Sequence, residues 1–199
     1  RKAWGGFVNS SRNLAIKLSA IIKDADDRKR LKILIQNFIS SSKSHLRSGV
    51  TKNDLIVSDK YPVEEILTSK HVPNYLMKKL VYELNGYLES GQISSTQMLM
   101  INSEIQSFSD NLGVCERIKK TPIPYSYSIF LKKIIFIYIA SMPFGFAMEF
   151  GYWSIFIVSM LFYIFAGIEL IAEEIEDPFG YDDNDLPTDQ ISEVIKQDL

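Results

Sequence analysis

The sequence predicts an all-α protein that combines a soluble helical region with a membrane hairpin. Apolar side chains recur at helical spacing through most of residues 1–112, and no alternating pattern typical of strands persists. Residues 129–172 are overwhelmingly apolar and aromatic. A dense group of carboxylates follows at once, between Glu173 and Pro187.

Composition sets limits on the class of protein. The chain has 199 residues, enough for one or two domains with a sizeable core. Its net charge of −2 gives no support to a nucleic-acid partner. The single cysteine, Cys115, excludes an internal disulfide framework and fits a reducing compartment. We interpret it as a small buried side chain.

The first two helices are predicted from apolar stripes and polar stops. Residues 1–22 carry one broad apolar face. A group of aspartates between Asp24 and Asp27 marks a stop and a new helix start, so that residues 27–47 form the second helix. A polar interval from 48 to 62 follows.

Three further helices are predicted before the apolar region. One is short, around Val63–Thr68. The next has Pro73 as its first residue, where the missing N–H is tolerated, and ends at Gly91. Ser94 and Gln97 have capping-box spacing at the start of the last, which covers 94–112. Its narrow apolar seam suits helix–helix packing and consists of Met98, Ile101, Ile105, Phe108 and Leu112.

Residues 129–171 are predicted to form a transmembrane hairpin. The uncharged run 134–148 is too short for a bilayer core, which needs about 20 residues. Extension back to Ile129 supplies the length if Lys132 and Lys133 reach the headgroups. The run 150–168 is also uncharged. The alternative is a helical hairpin buried in a large soluble core.

The distribution of lysines predicts the orientation of this hairpin. The turn at 149–152 has no Lys or Arg, whereas lysines flank the entry. By the positive-inside bias, both ends of the hairpin lie in the cytoplasm. The chain then divides into a cytoplasmic helical region (1–128), the hairpin (129–171) and an acidic turn with a C-terminal cytoplasmic helix (172–199). The lysines are Lys119, Lys120, Lys132 and Lys133.

Two motifs flank the hairpin. In "CERIKKTPIPYSYSIFLKK", Pro122 and Pro124 prevent continuous helix and fix an extended link. The second motif, "IAEEIEDPFGYDDNDLPTDQI", follows the second span. Together they closely resemble the bestrophin family in its bacterial branch. Besides the two prolines, the signature residues are Glu173, Glu174, Glu176, Asp177, Pro178, Phe179, Gly180, Asn184 and Asp185.

The resemblance implies a subunit of a pentameric ion channel rather than an enzyme. Family subunits carry four membrane helices around a central pore that continues through a cytoplasmic vestibule. The expected activity is passive conduction of chloride or other small ions. The expected partners are identical subunits, lipid and small inorganic ions, with no nucleic acid. The expected location is the inner (plasma) membrane, crossed several times, with the bulk of this chain in the cytoplasm.

The resemblance also implies that the first third of a family subunit is missing, including the apolar neck of the pore. Residues 1–22 then continue the second membrane helix into the cytoplasm. The other explanation is a protein that naturally lacks the neck, for which conduction itself is in question.

A cytoplasmic constriction of the pore is implied near the start of the helix at 94–112. Alignment backward from Cys115 indicates Thr96, Leu99 and Met100 as candidates. A ring of Leu side chains resists wetting, whereas a ring of Thr hydroxyls offers oxygens to an ion. The alternative is that Leu99 packs against the helix at 73–90 and never meets the pore.

No cofactor is required, and calcium is the one metal that the resemblance suggests. Animal bestrophins bind it with acidic residues after the Pro-Phe-Gly turn, and Asp182 and Asp185 match that spacing. Tyr181 and Asn184 replace other acids of that belt. The alternative is that both aspartates cap the turn and the following helix, with Thr188 as its N-cap.

The remaining ionisable residues receive structural interpretations. Glu169 and Glu173 lie one helical turn apart, and we expect them to pair with Arg12, Arg117 or Lys120. His45 and His71 show no second ligand at metal-binding spacing and are interpreted as solvated or core histidines.

Two other functions compete with the channel. One is a membrane-bound metalloenzyme with carboxylate ligands, and the other is a non-conducting membrane scaffold. Against the enzyme, the accompanying histidines are lacking and Pro178 breaks the helix that would present the ligands. The proposed ligands would be Glu169, Glu173, Glu176 and Asp177.

Overall fold

A computed structural model describes residues 1–58 and 60–199, and the regular elements within these ranges are helical. The all-α prediction is therefore confirmed. A 3₁₀ turn at Lys52–Asp54 and an isolated β-bridge between Ser58 and Tyr61 complete the description. The helices are α1 (Lys2–Ile21), α2 (Ala25–Leu46), α3 (Val63–Leu67), α4 (Val72–Glu89), α5 (Ser95–Lys120), α6 (Tyr125–Phe150), α7 (Trp153–Glu176) and α8 (Thr188–Asp198).

The chain divides into two compact units. Residues Arg1–Lys119 and Leu186–Leu199 form one, which we call the helical unit. Residues Lys120–Asp185 form the other, the hairpin unit. The C-terminal helix α8 therefore belongs with the first five helices, although the whole hairpin unit lies between them in the sequence.

Local capping explains several helix boundaries. The carboxylate of Asp24 accepts a hydrogen bond from the Asp27 backbone N–H at 2.9 Å and starts α2. The predicted capping box is confirmed: the Gln97 amide oxygen accepts from Ser94 N–H at 2.9 Å, and the Ser94 hydroxyl accepts from Gln97 N–H at 3.2 Å. Gly91 follows α4 with a φ of 75°, a conformation that glycine tolerates best.

Three predicted boundaries were wrong. Helix α4 begins at Val72 rather than Pro73, because the His71 imidazole accepts from Asn74 N–H at 3.2 Å and caps the helix. Helix α5 continues to Lys120, well past the seam that ended the predicted helix at residue 112. The N-cap position of α8 is held by Pro187, which makes Thr188 the first helical residue.

An aromatic cluster forms the centre of the helical unit. Its members come from α1, α2 and α5 and are at most 1% exposed. The ring centroids of Phe38 and Phe108 lie 5.2 Å apart, and those of Trp4 and Phe7 lie 5.3 Å apart with nearly perpendicular planes. These separations are in the preferred range for aromatic pairs. The cluster joins helices that are distant in sequence.

Helices α1 and α5 also touch through small and polar residues. The Ser10 hydroxyl donates to the Ser107 hydroxyl at 2.8 Å. A Cβ atom on Gly6 would lie 2.4 Å from the Asn111 amide nitrogen, so a larger residue there would displace the Asn111 side chain. The Asn111 amide in turn donates to Ser107 Oγ at 3.1 Å.

Buried polar side chains hold the connection between α2 and α3. Asn37 is 1% exposed; its amide donates to the Ile56 carbonyl at 2.9 Å and its oxygen accepts from Ile56 N–H at 2.7 Å. The buried carboxylate of Glu83 accepts from the Tyr61 hydroxyl and pairs with Lys60. Asn37 thus satisfies the backbone of Ile56, whereas Glu83 binds two side chains of the same segment.

Helix α8 packs against α1 and α2. The Arg12 guanidinium donates to Asp198 at 2.6 Å. The Asp189 carboxylate accepts from Lys43 at 2.8 Å and from Arg47 at 2.6 Å. Ion pairs with helices far away in sequence therefore accompany the docking of the C-terminus.

Helices α6 and α7 form the hairpin, joined through Gly151 with a φ of 52°. Each is long and apolar enough to cross a membrane, and the most apolar window of each is 0% buried within the chain. One contact between them is an edge-to-face pair of Tyr138 and Phe165, with centroids 5.8 Å apart. Most of their apolar surface thus lacks a covering partner within this unit.

Candidate functional site

Charged groups within the hairpin unit pair with each other. The Lys132 ammonium lies 2.8 Å from the Glu169 carboxylate and 3.4 Å from that of Glu173. The sequence prediction named Arg12, Arg117 or Lys120 as partners and did not include Lys132. Residues one turn apart on α7 can share one lysine of α6 because the two helices run side by side.

A cleft of about 410 Å³ lies between α6 and α7. Lys132 and Glu169 form its polar part, and apolar side chains such as Phe136 and Phe162 line the rest. The salt bridge neutralises both charges beside this apolar surface, which lowers the unfavourable free energy of placing them there.

The acidic turn after α7 is held by its own side chains. The Asn184 amide donates to the Glu174 carboxylate at 2.7 Å, across ten residues. The Asp177 carboxylate accepts from Phe179 N–H at 3.3 Å, and Phe179 itself is buried. Pro178 follows the end of α7 at Glu176, where a proline ends a helix. The signature residues thus shape the turn.

Asp185 lies inside the same turn. Its Oδ2 atom accepts from Asp182 N–H at 2.8 Å, and its own N–H donates to the Asp182 carbonyl at 3.0 Å. A Cβ atom on Gly180 would lie 2.6 Å from that Oδ2, so a larger residue there would displace the Asp185 carboxylate. Asp185 Oδ1 is buried and has no hydrogen-bond partner among the described residues. A carboxylate oxygen of this kind fits a cation ligand, whereas Oδ2 acts as the cap that the alternative predicted.

The candidate constriction residues occupy the first turns of α5. Leu99 is 74% exposed and Met100 54% exposed, and Thr96 is exposed too. Lys17 of α1 donates to the Met100 carbonyl and to Glu104, each at 2.8 Å, and so fixes this end of α5. The alternative in which Leu99 packs against α4 is not what the chain shows. A role in a pore stays a prediction.

Pro122 and Pro124 lie in the non-helical link between α5 and α6. Pro124 takes the N-cap position of α6 with φ −53° and ψ 126°, an extended conformation. The link therefore interrupts the helix at the place that the two prolines predict.

The structure brings together three residues that sequence reasoning kept apart. His45 lies near the end of α2, His71 caps α4, and Glu116 lies in the last turns of α5. Glu116 Oε1 is 3.0 Å from His45 Nε2 and 2.7 Å from His71 Nε2. The imidazole centroids are 4.4 Å apart. The interpretation of the two histidines as isolated was wrong.

Burial and charge determine the ionisation of this cluster. Burial lowers the pKa of His45, as does the neighbouring His71, although Glu116 opposes both effects. Burial by itself raises the pKa of Glu116, but hydrogen bonds and charge from the two histidines outweigh it and lower that pKa. Nearby, burial raises the pKa of the Cys115 thiol to about 11, which agrees with an inert side chain.

Comparison with known proteins supplies the family. The model of a family described as Bacterial/Fungal Bestrophin protein matches residues 1–199. The chain belongs to the bestrophin family. A voltage-dependent anion channel-forming protein of Nostoc sp. is 33% identical to this bestrophin, and the match covers 100% of the bestrophin chain. The protein YneE of Escherichia coli, named in the same way, is 29% identical. The bestrophin chain spans 67% and 66% of the length of these two relatives.

A solved structure agrees with this assignment. A crystal structure of a bacterial bestrophin homologue from Klebsiella pneumoniae, carrying a mutation, covers 100% of this chain with a TM-score of 0.94 and 27% identity. The match takes in 75% of that structure's chain. With two apolar helices and channel-forming relatives, this bestrophin is a membrane protein.

Proposed function

We propose that this bestrophin is a subunit of an ion channel, in which five identical subunits surround a central pore and chloride or other small ions pass by diffusion. The observation that carries the proposal is the uncovered hairpin. Both of its apolar windows are 0% buried within the chain, so lipid and neighbouring subunits must cover them. The channel-forming relatives supply the activity.

The mass of the purified, intact protein in detergent tests the ring. A central pore on a symmetry axis requires a closed assembly, and the proposal expects five copies. A monomer or dimer that retains its fold would contradict it and would favour the non-conducting scaffold. Ion flux into liposomes then separates a conducting ring from a silent one.

The contacts of three carboxylates in and after α7 favour a structural role over metalloenzyme chemistry. Glu169 and Glu173 both pair with Lys132, and the Asp177 carboxylate accepts a hydrogen bond from the backbone of its own turn. These contacts give Glu169, Glu173 and Asp177 a role in holding the structure.

We infer that the protein lies in the inner membrane with the helical unit in the cytoplasm, because the hairpin turn lacks the positive charges that flank the entry. A cysteine at Tyr152, which is 92% exposed, should react with an impermeant reagent applied outside intact cells. Ser103→Cys on α5 is the matched control and should react only after permeabilisation. Native Cys115 is 1% exposed and adds little background. The reverse pattern would invert the topology.

We further infer that the first turns of α5 form the cytoplasmic constriction. Thr96, Leu99 and Met100 are exposed on a segment that Lys17 anchors, which suits side chains that meet their symmetry mates at an axis. Five leucines would resist wetting, whereas threonine hydroxyls would coordinate a dehydrating ion.

Permeability ratios measured in liposomes test the constriction. Thr96→Ala, Leu99→Ala and Met100→Ala should each be compared with Val114→Ala, an exposed apolar position further along the same helix. At least one of the first three should alter conductance or ion selectivity, while the Val114 variant should not. If all four conduct like the wild type in intact assemblies, the constriction lies elsewhere.

Calcium at the acidic turn is a separate proposal. Asp185 Oδ1 offers a buried oxygen with no hydrogen-bond partner in the described part of the chain, and Asp182 lies three positions away. Titration of the intact protein with Ca²⁺ should produce heat that Asp185→Asn abolishes. Equal heats from both proteins would leave Asp185 with the capping role alone.

A further inference from the structure

His45, His71 and Glu116 converge at one place in the helical unit. The three residues come from three different helices and are separated by at least 26 positions in sequence. Both Nε2 atoms point at one carboxylate oxygen, and the rings face each other at a centroid distance of 4.4 Å. Their side chains are 19% to 29% exposed, so the group lies at the edge of the core and within reach of solvent.

We propose that His45, His71 and Glu116 form a binding site for a divalent transition-metal ion of the zinc class. The candidate ligand atoms all lie within 4.8 Å of one another. Two imidazole nitrogens and one carboxylate oxygen are a donor set that Zn²⁺ uses, with the fourth position open to water or another ligand. Imidazole ligands favour zinc, copper and nickel over calcium or magnesium.

The geometry needs little rearrangement to accept the ion. Metal–ligand bonds of about 2.0 to 2.2 Å place neighbouring ligand atoms of a tetrahedral site about 3.3 Å apart. The carboxylate oxygen is now 3.0 Å from one imidazole nitrogen and 2.7 Å from the other. Small outward shifts of these side chains would open the space between them. A cation there would also bind both imidazoles, which now contact each other directly.

Two features of the surroundings oppose the ion. Coordination through His71 Nε2 moves the ring proton to Nδ1, which then can no longer accept from Asn74 N–H, so the α4 cap is given up. Lys119 adds a positive charge nearby, although its ammonium is held by the carbonyls of Leu46 and Arg47 at 2.7 Å. The free energy lost with one cap hydrogen bond is small compared with that gained from three metal–ligand bonds. The negative charge of Glu116 offsets the positive charge of Lys119.

A bound ion would link the end of α2, the start of α4 and the last turns of α5. Glu116 precedes Lys120, the first residue of the hairpin unit, by four positions in the chain. Metal occupancy would therefore stiffen the helical turn that leads into the link with Pro122 and Pro124. This inference does not depend on conduction, and its test measures binding alone.

The test uses the intact protein in detergent, without a histidine tag and stripped of metal by a chelator. Titration with Zn²⁺ should give one strong site per chain. His45→Gln, Glu116→Gln and His71→Asn should each weaken that site by about a hundredfold or more, since even outer partners of a metal are worth 10- to 100-fold. His71→Asn is the sharpest variant, because asparagine preserves an N-cap while removing the imidazole.

Glu65→Gln is the matched control. It removes another carboxylate of the helical unit, one that binds Tyr75 and Lys79, and it should leave Zn²⁺ affinity unchanged. Co²⁺ provides a second readout in the wild type, since a four-coordinate site with nitrogen ligands gives intense visible absorption. Absence of a strong Zn²⁺ site and of Co²⁺ absorption in the wild type would overturn the proposal. The proposal would also be overturned if His45→Gln and His71→Asn both bound Zn²⁺ as tightly as the wild type while their assemblies stayed intact.

Discussion

The two units of this bestrophin use the same apolar residue types in opposite ways. In the helical unit, Phe38 and Phe108 are at most 1% exposed and touch each other. In the hairpin unit, Phe144 is 85% and Met148 94% exposed. The first unit makes its apolar environment from its own side chains, whereas the second must receive one from lipid or other subunits.

This difference has a physical origin. Water drives the burial of the aromatic cluster, because moving apolar surface out of water is favourable. In a bilayer that driving force is absent, and a helix is stable there because its backbone hydrogen bonds are satisfied internally. Helices α6 and α7 therefore need little contact with each other, while α1, α2 and α5 depend on theirs.

The largest expected effect contrasts one phenylalanine from each unit. Phe108→Ala should destabilise the helical unit by about 3 to 5 kcal/mol, because it leaves a cavity in the aromatic cluster. Phe144→Ala, the matched control, should change the same free energy by less than about 0.5 kcal/mol. Denaturant unfolding followed by Trp4 fluorescence in a Trp153→Phe background reports on the core specifically. Equal losses in both variants would remove the distinction between the units.

A smaller effect is expected from a buried amide. Asn37→Ala removes both hydrogen bonds to Ile56 and leaves a backbone N–H and carbonyl without these partners, at about 2 to 4 kcal/mol in total. The neighbouring change Gln36→Ala loses only an exposed 3.3 Å contact to the Lys196 carbonyl and should have little effect. The same unfolding assay measures both. Similar stability of the two variants would mean that water replaces Asn37.

The ion pair of Glu83 should make the stability of the helical unit depend on pH. Burial alone raises the pKa of Glu83, but hydrogen bonds from Lys60 and Tyr61 outweigh it and lower that pKa. A carboxyl whose pKa is lower in the folded state stabilises the fold above its unfolded pKa of about 4.3 and loses this contribution as pH falls through the folded value.

Glu83→Gln should therefore be less stable than the wild type by about 1 to 3 kcal/mol at pH 7. The gap should narrow as the pH falls below about 4. Glu65→Gln changes an exposed carboxylate and should show a much smaller gap. A gap that stays constant down to pH 3 would show that ionisation of Glu83 does not contribute to stability.

The smallest expected effect on the core concerns the link between the units. Replacing Pro122 and Pro124 with alanine permits α5 and α6 to extend toward each other, because both prolines oppose helix. The free energy of unfolding of the helical unit should change by less than about 1 kcal/mol, while the assembly dissociates at a lower temperature. Unchanged thermal dissociation of the oligomer would contradict a positioning role.

Local signals made much of the fold predictable. The cap from Asp24, the capping box of Ser94 and Gln97, and the break at Gly91 each act within four residues, so the sequence displays them directly. The hairpin was predictable because length and apolarity are properties of a continuous segment. The end of α5 was not predictable in this way, because the helix continues to Lys120, beyond the apolar seam from which its end had been predicted.

The sequence by itself determined the helical class, the membrane hairpin and the resemblance to bestrophins, since periodicity, apolar length and short motifs are all contained in contiguous residues. Only the tertiary structure decided that His45, His71 and Glu116 meet, and that Lys132 pairs with Glu169. The reason is that these contacts depend on how whole helices pack, and neither periodicity nor spacing encodes which faces of distant helices come together.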